Sequence, residues 1–236
     1  MSEDVKKKCR VNPVLLIVLL IALIAGGYFA FRFKVNSALV KMRSDSVAEI
    51  PVQNENNSKI LIAYFTLAED IEEDAVSSAS VTVVDKIAKG NVRAVADMIQ
   101  EKTGGDLYSV QTVEKYDKSY SNVVNVAKTE QDNDARPELV NHIQNFDQYD
   151  VVFIGFPTWW SDMPQAMFTF FDEYDFSGKT IIPFNSANGS EFGVSISSIK
   201  MLEPNAALIE DGISVKHGDA ANAKDAVAQW LTGLGY

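Results

Sequence analysis

The feature that most narrows the fold is a set of short runs with no charged residue. Ile60-Leu61-Ile62-Ala63-Tyr64-Phe65 ends at Thr66, and Val151-Val152-Phe153-Ile154-Gly155-Phe156 ends at Pro157. Continuous apolar runs of this length are the pattern of strands buried on both faces. Thr180-Ile181-Ile182-Pro183-Phe184 is a third, and Asp106–Val110 and Ala206–Ile209 are weaker candidates. Helical patterns fall between them. Asn91–Thr103 places Val92, Val95, Ala96 and Ile99 on one face and stops at Gly104-Gly105. Met163–Tyr174, Gly193–Leu202 and Ala221–Leu234 complete the set. Strands alternating with helices predict an α/β fold, a doubly wound parallel sheet covered on both faces.

A different element precedes this domain. Pro13 to Phe31 is uncharged throughout. As a helix it would span roughly 28 Å, close to the hydrocarbon thickness of a bilayer. A buried core helix would show a polar stripe, and this segment has none. The reading is a basic cytoplasmic tail over residues 1–12, a transmembrane helix over 13–31, a tether over 32–58 and the folded domain over 59–236. Lys6, Lys7, Lys8 and Arg10 keep the tail inside, which puts the domain on the extracytoplasmic side of the cell membrane in a single-pass arrangement. A cleaved signal peptide competes, but its apolar region is normally shorter. The tether contains the polar, turn-rich stretch Pro51–Ser58.

Composition excludes several function classes. Residues 1–58 hold eight Lys/Arg against five Asp/Glu, and residues 59–236 hold thirteen against twenty-seven. So acidic a domain is a poor match for a nucleic-acid backbone. The single cysteine, Cys9, can form no internal disulfide. His142 and His217 are the only histidines, too few for a histidine-based metal centre. Neither falls at a strand-end loop of the pattern, so both are expected to be surface or structural residues. No metal ligand and no catalytic residue is assigned.

In open parallel sheets, ligands bind beyond the carboxyl ends of the strands. Three segments lie there. Thr66 ends the first strand, and Gly90-Asn91-Val92 later opens a helix whose free amides suit a phosphate; Asn91 could equally just cap that helix. Pro157-Thr158-Trp159-Trp160 follows the second long run, and two adjacent indoles cannot both face a core, which leaves one for an aromatic ligand. Asn185-Ser186-Ala187-Asn188-Gly189 follows the third, a small polar loop able to meet the edge of a planar heterocycle.

Together these segments give the domain a family likeness. The strand Ile60–Phe65 with Thr66, Gly90-Asn91-Val92 before a helix, the run Tyr149–Trp160, Phe176-Ser177-Gly178-Lys179-Thr180 and Pro183-Phe184 cover nearly all of residues 59–236. On these residues the domain resembles the flavodoxin family, especially its bacterial flavodoxin-like branch with a long insertion after the first strand. The resemblance implies a flavodoxin-like five-stranded parallel sheet binding FMN non-covalently. Thr66, Asn91 and the N–H of Val92, in the Gly90 loop, would hold the phosphate. Trp159 or Trp160 would lie on the isoalloxazine, and residues Asn185 to Gly189 would meet its pyrimidine edge.

The chain also departs from the family pattern. Residues 67–89 interrupt the phosphate loop, Val92 stands where a hydroxyl is usual, and the third loop lacks a covering tyrosine, a place Tyr116, Tyr120 or Phe192 could fill. The interruption is expected as a solvated loop with a short helix capped near Ser80. Three functions follow as expectations: a membrane-anchored electron carrier serving a redox partner protein or a small-molecule acceptor, an NAD(P)H- or quinone-linked reductase with an open flavin face, or a binding module that kept the fold and lost the flavin.

Overall fold

The computed structural model describes residues 60–68, 81–84, 87–117 and 119–236. The expected tail, membrane helix and tether, and the acids and serines between Asp70 and Ser80, lie outside the described residues.

The uncharged runs form the middle of the sheet. β1 (Ile60–Phe65) pairs in parallel with β4 (Asp106–Val110) on one side and with β5 (Val151–Pro157) on the other, and β5 pairs in parallel with β6 (Thr180–Ala187). Side chains alternate across the sheet, so each strand feeds two cores. Leu61, Ala63 and Phe65 join Val152, Ile154 and Phe156 on one face; Ile62, Tyr64 and Phe153 lie on the other.

Helices cover both faces. α1 (Asn91–Thr103) buries Val92, Val95, Ala96 and Ile99, and α5 (Lys224–Gly233) adds Val227 and Leu231 to the same core. α3 (Gln165–Glu173) packs Ala166, Met167, Phe170 and Phe171 on the opposite face, where α4 (Ser195–Leu202) contributes Ile199. The doubly wound architecture expected from the sequence is therefore present, with α3 to α5 starting two to three residues later than the periodicity suggests.

The last position of the sheet is filled in two pieces. β7 (Ala207–Leu208) pairs with the start of β6, and β8 (Ile213–Lys216) pairs with its end. The break falls beside Pro183, which has no N–H to donate to a ladder. Gly212 passes so close that a Cβ there would stand 2.3 Å from the Pro183 carbonyl oxygen. β8 was not expected; only the stretch around β7 was.

Two further elements are corrections. Part of the interruption after β1 is a hairpin, β2 (Val81–Val84) against β3 (Ile87–Gly90), where a solvated loop and short helix were expected. α2 (Tyr120–Asp132) was missed because it buries only Val123 and Ala127, too narrow a stripe to register as a periodicity.

Away from the strand ends, Glu203 follows α4 near Asp172 and Asp175. Burial first, then these two carboxylates, push its carboxyl up to about 7. A carboxyl raised in the folded state favours folding while protonated, and that contribution is lost as pH climbs from the ordinary carboxylate range through 7. Glu203→Gln should therefore raise the melting temperature at pH 7.5 and leave it nearly unchanged at pH 5; equal shifts at both pH values would refute the assignment.

Candidate functional site

Gly90 determines how the interrupted segment closes. It ends β3 and precedes α1, and a Cβ there would lie 2.1 Å from the Thr66 hydroxyl oxygen and 2.9 Å from the Ala68 carbonyl. Only a residue without a side chain lets the end of β1 and the start of α1 meet so closely. Gly90, not Asn91, is the N-cap, and it makes no side-chain cap bond, so the first-turn amides of α1 have no side-chain cap. The Arg93 guanidinium bonds Asp97 (2.6 Å) and the Tyr64 hydroxyl (2.7 Å).

The second segment is a tight turn. Trp159 and Asp162 exchange both backbone hydrogen bonds (2.8 and 3.0 Å), with Trp160 at φ +50° and Ser161 at φ +65° between them. Two successive non-glycine residues in the left-handed region, one of them a bulky Trp, are costly, and such strain persists only where the surroundings enforce it. Here they do. The Trp160 indole N–H donates to the Val124 carbonyl (3.0 Å) on α2, Gln131 donates to the Trp160 carbonyl (3.2 Å), and the Lys128 ammonium lies 5.8 Å from the indole centre. From the other side Val194 N–H donates to the Ser161 carbonyl (2.7 Å). Trp159 is held differently, edge-on to Phe65 and Tyr116 at 5.3 Å from each ring. Tyr116 in turn donates to Glu130 of α2 (2.9 Å), and burial followed by that carboxylate raises its phenol pKa.

The third segment is not a loop at its start. Asn185, Ser186 and Ala187 are the last residues of β6, paired with Ser214, Val215 and Lys216 of β8. Asn185 is fully buried and turned toward the neighbouring loops: its amide donates to the Thr158 hydroxyl (2.7 Å) and the Glu191 carbonyl (2.6 Å). It braces two loops instead of presenting an edge.

These segments enclose one cavity of about 440 Å³, within the range of small-molecule sites. Nine of the thirteen residues expected at the site line it: Thr66, Asn91, Val92, Pro157, Thr158, Trp159, Trp160, Ser186 and Asn188. Gly90, Asn185, Ala187 and Gly189 do not line it. Leu67 and Ser190 extend two of the expected segments. Tyr120, Val123, Val124 and Ala127 come from the missed helix α2, and its Val123/Ala127 pair, one turn apart, was the signal available. His217 was set aside in the sequence but stands just after β8, a strand that was itself unrecognised. Among the described residues the wall has no Asp, Glu, Lys or Arg.

Behind this lining, Ser186 Oγ and His217 Nε2 are buried without a hydrogen-bond partner among the described residues. Burial is the main influence on the imidazole and lowers its pKa, opposed by the Ser186 backbone. An arrangement of amides without a side-chain cap and two indoles, around a hollow whose described wall has no acid, Lys or Arg, suits a large planar ligand with an anionic end.

The family model described as Flavodoxin matches residues 80–234. Among solved structures, a candidate flavoprotein from Bacteroides eggerthii is 26% identical, with TM-score 0.57, covering 76% of this chain and 99% of its own. A second, from Bacteroides uniformis, is 23% identical, with TM-score 0.59 and coverage of 75% and 99%. A flavoprotein from Lactobacillus acidophilus, solved in complex with FMN, is 18% identical, with TM-score 0.51 and coverage of 72% and 97%. No curated protein matches the chain.

The turn's dependence on its support is testable. Gly193 has φ +55°, and a Cβ there would stand 2.1 Å from the Ser161 carbonyl oxygen. Gly193→Ala should cost about 2 kcal/mol or more from left-handed strain and that collision. Chemical denaturation measures the loss, and a shift in tryptophan emission should accompany it; an unchanged midpoint would show that the turn is not held from this side.

Proposed function

Because this chain belongs to the flavodoxin family, we propose that its domain binds FMN non-covalently in the cavity at the strand ends and transfers electrons through it. The observation that supports this most is the convergence of Thr66, the start of α1 without a side-chain cap and the Trp159-Trp160 turn on one cavity whose described wall has no acid, Lys or Arg. The residues present fit the group. FMN has a dianionic ester at one end and a tricyclic ring at the other. The amides of Asn91 and Val92 and the Thr66 hydroxyl would hold the ester, aided by the positive end of the α1 dipole. The usual hydroxyl at position 92 is replaced by valine, so backbone and Thr66 take a larger share.

The indole pair would serve as the ring platform. Trp159 is fixed by its edge contacts, whereas Trp160 is 48% exposed and its ring is oriented by the bond to Val124. When bound, FMN supplies one- and two-electron transfer, and the protein supplies orientation and field. The domain's excess of acids opposes added negative charge, which disfavours an anionic reduced flavin and lowers its second reduction potential. In this reading the carrier is held at the cell membrane by residues 13–31, its domain facing outward and its acidic surface drawing basic partners.

A second reading, a reductase acting on a small acceptor, is favoured by one observation. The wall built from Tyr120, Val123, Val124 and Ala127 is apolar, and Tyr120, 62% exposed, is not packed down as a cover over the ligand. Steady-state oxidation of NADH or NADPH with a quinone acceptor separates the two, because a pure carrier gives almost none.

Freshly purified protein mixed with FMN should turn yellow with a shifted visible spectrum, and a colourless, FMN-indifferent protein would leave only the flavin-free module. Trp160→Ala should weaken FMN about tenfold, the worth of one aromatic stack. Asn91→Asp sets a carboxylate beside the ester and should weaken FMN at least tenfold while leaving riboflavin affinity intact. Equal losses for both flavins would place the ester elsewhere.

A further inference from the structure

The bend that follows β6 joins two residues with a reactivity of their own. Asn188-Gly189 is the sole Asn-Gly pair in the sequence. Asn188 is an exposed residue on the cavity wall, so water reaches its side chain. Gly189 has φ +102°, a conformation open to glycine and strained for any residue with a side chain. Beyond its chain neighbours, nothing stands within 4 Å of where a Cβ would be. Among the described residues, no hydrogen bond holds the Asn188 side-chain amide or the Gly189 N–H. Asn185 is the contrast, fully buried, with its amide bonded to the Thr158 hydroxyl and the Glu191 carbonyl.

An asparagine side chain and the backbone nitrogen after it are one bond short of a five-membered ring. The Gly189 nitrogen loses its proton to water or hydroxide and bonds to Asn188 Cγ. The bond from Cγ to the side-chain nitrogen breaks, and that nitrogen takes up a proton and leaves as ammonia. Water then opens the cyclic imide. Attack at Cγ leaves aspartate, and attack at the Asn188 backbone carbonyl leaves isoaspartate. Nothing is oxidised or reduced, and water is the only co-reactant. A side chain at position 189 would crowd the attacking nitrogen, whereas glycine leaves it open. An N–H already committed to a hydrogen bond would be a poorer nucleophile, and this one is not committed.

We propose that Asn188-Gly189 is a self-modification site, at which the folded protein converts an exposed amide on its cavity wall into a carboxylate. The position gives the reaction a consequence. The described wall of the cavity has no Asp, Glu, Lys or Arg, so the product is the first charge among those residues. A new carboxylate there repels an anionic ligand and has no wall cation to offset it. The site then exists in two forms, a neutral one that accepts an anionic nucleotide and an aged, charged one that accepts it less well. The chemical step stands on the residues alone; its effect on affinity rests on the FMN reading.

The test incubates the full chain in mildly alkaline buffer and maps its peptides by mass spectrometry. The segment should gain the mass of OH over NH2, with fragmentation placing the change at Asn188 and leaving Asn185 intact. Enzymatic methylation of isoaspartate should label the same segment. Asn188→Gln, whose longer side chain closes a ring far less readily, should stay unmodified over the same period. FMN is then titrated before and after incubation. The aged wild-type protein should bind it several-fold more weakly, by a factor that shrinks as salt is raised. Asn188→Gln should show no change on incubation, and Asn188→Asp should show the loss without it. An Asn188 that keeps its mass overturns the proposal whatever the flavin does. Modification that leaves FMN affinity unchanged, or a loss that salt does not reduce, overturns the role given to the charge. Fresh wild-type protein that binds no FMN would overturn the FMN reading itself, while the mass measurement still decides the modification.

Discussion

The meeting of Thr66 with Gly90 is the contact on which the site depends. Between them the chain makes a long excursion, yet the hydroxyl of one occupies the space where the other would have a Cβ. Loop-closure entropy grows only with the logarithm of loop length, each doubling adding about 0.6 kcal/mol, so the insertion itself is inexpensive. The β2–β3 hairpin lowers the cost further by pairing Val81 with Gly90, which directs the returning strand straight into α1. What the excursion cannot tolerate is bulk at its point of return. Any side chain at position 90 would push the start of α1 away from the end of β1, and the amides would leave the cavity.

The sheet accounts for why everything polar gathers at one rim. β1 and β5 are buried on both faces, so neither can present a functional side chain along its length. Their polar neighbours appear where the strands stop, at Thr66 and Thr158. Parallel pairing puts those stops on the same side of the molecule. β6 differs because Pro183 interrupts its outer ladder, and the edge strand resumes as β8 only where Gly212 has passed the proline. The second half of that broken edge is the half that reaches the rim.

How much of this was legible follows from burial. The strands β1, β5 and β6 and the helices α1 and α3 could be read because two-sided or one-sided burial writes itself into hydrophobic periodicity. So could the loops behind β1 and β5, whose residues Thr66, Asn91, Val92 and Thr158 to Trp160 do converge. The misses share one cause. α2 buries two residues and β8 only Val215, so each is held by what it touches and leaves little pattern in its own sequence. Missing β8 had two consequences: Asn185 to Ala187 looked like a loop, and His217 looked remote. The buried orientation of Asn185 follows from alternation along β6 and becomes legible once that strand is known to extend to Ala187.

The charge pattern completes the argument. The domain is strongly acidic, yet the described wall of the cavity has no acid and no Lys or Arg. Lys89 and Arg93, the cations that flank the start of α1 in sequence, both bond Asp97, and Arg93 also bonds Tyr64. An anionic ligand end would therefore be held by backbone dipoles against an unfavourable long-range field, not drawn in by cations. Helix-terminal amides act at hydrogen-bond range and fall off within a turn, whereas the repulsion of surface carboxylates is spread out and screened by salt. The first effect is local enough to select one place for an ester, and the second is diffuse enough to leave that place usable. In the proposed flavin protein the same separation would let the acidic surface govern partners and potential while the neutral cavity governs fit.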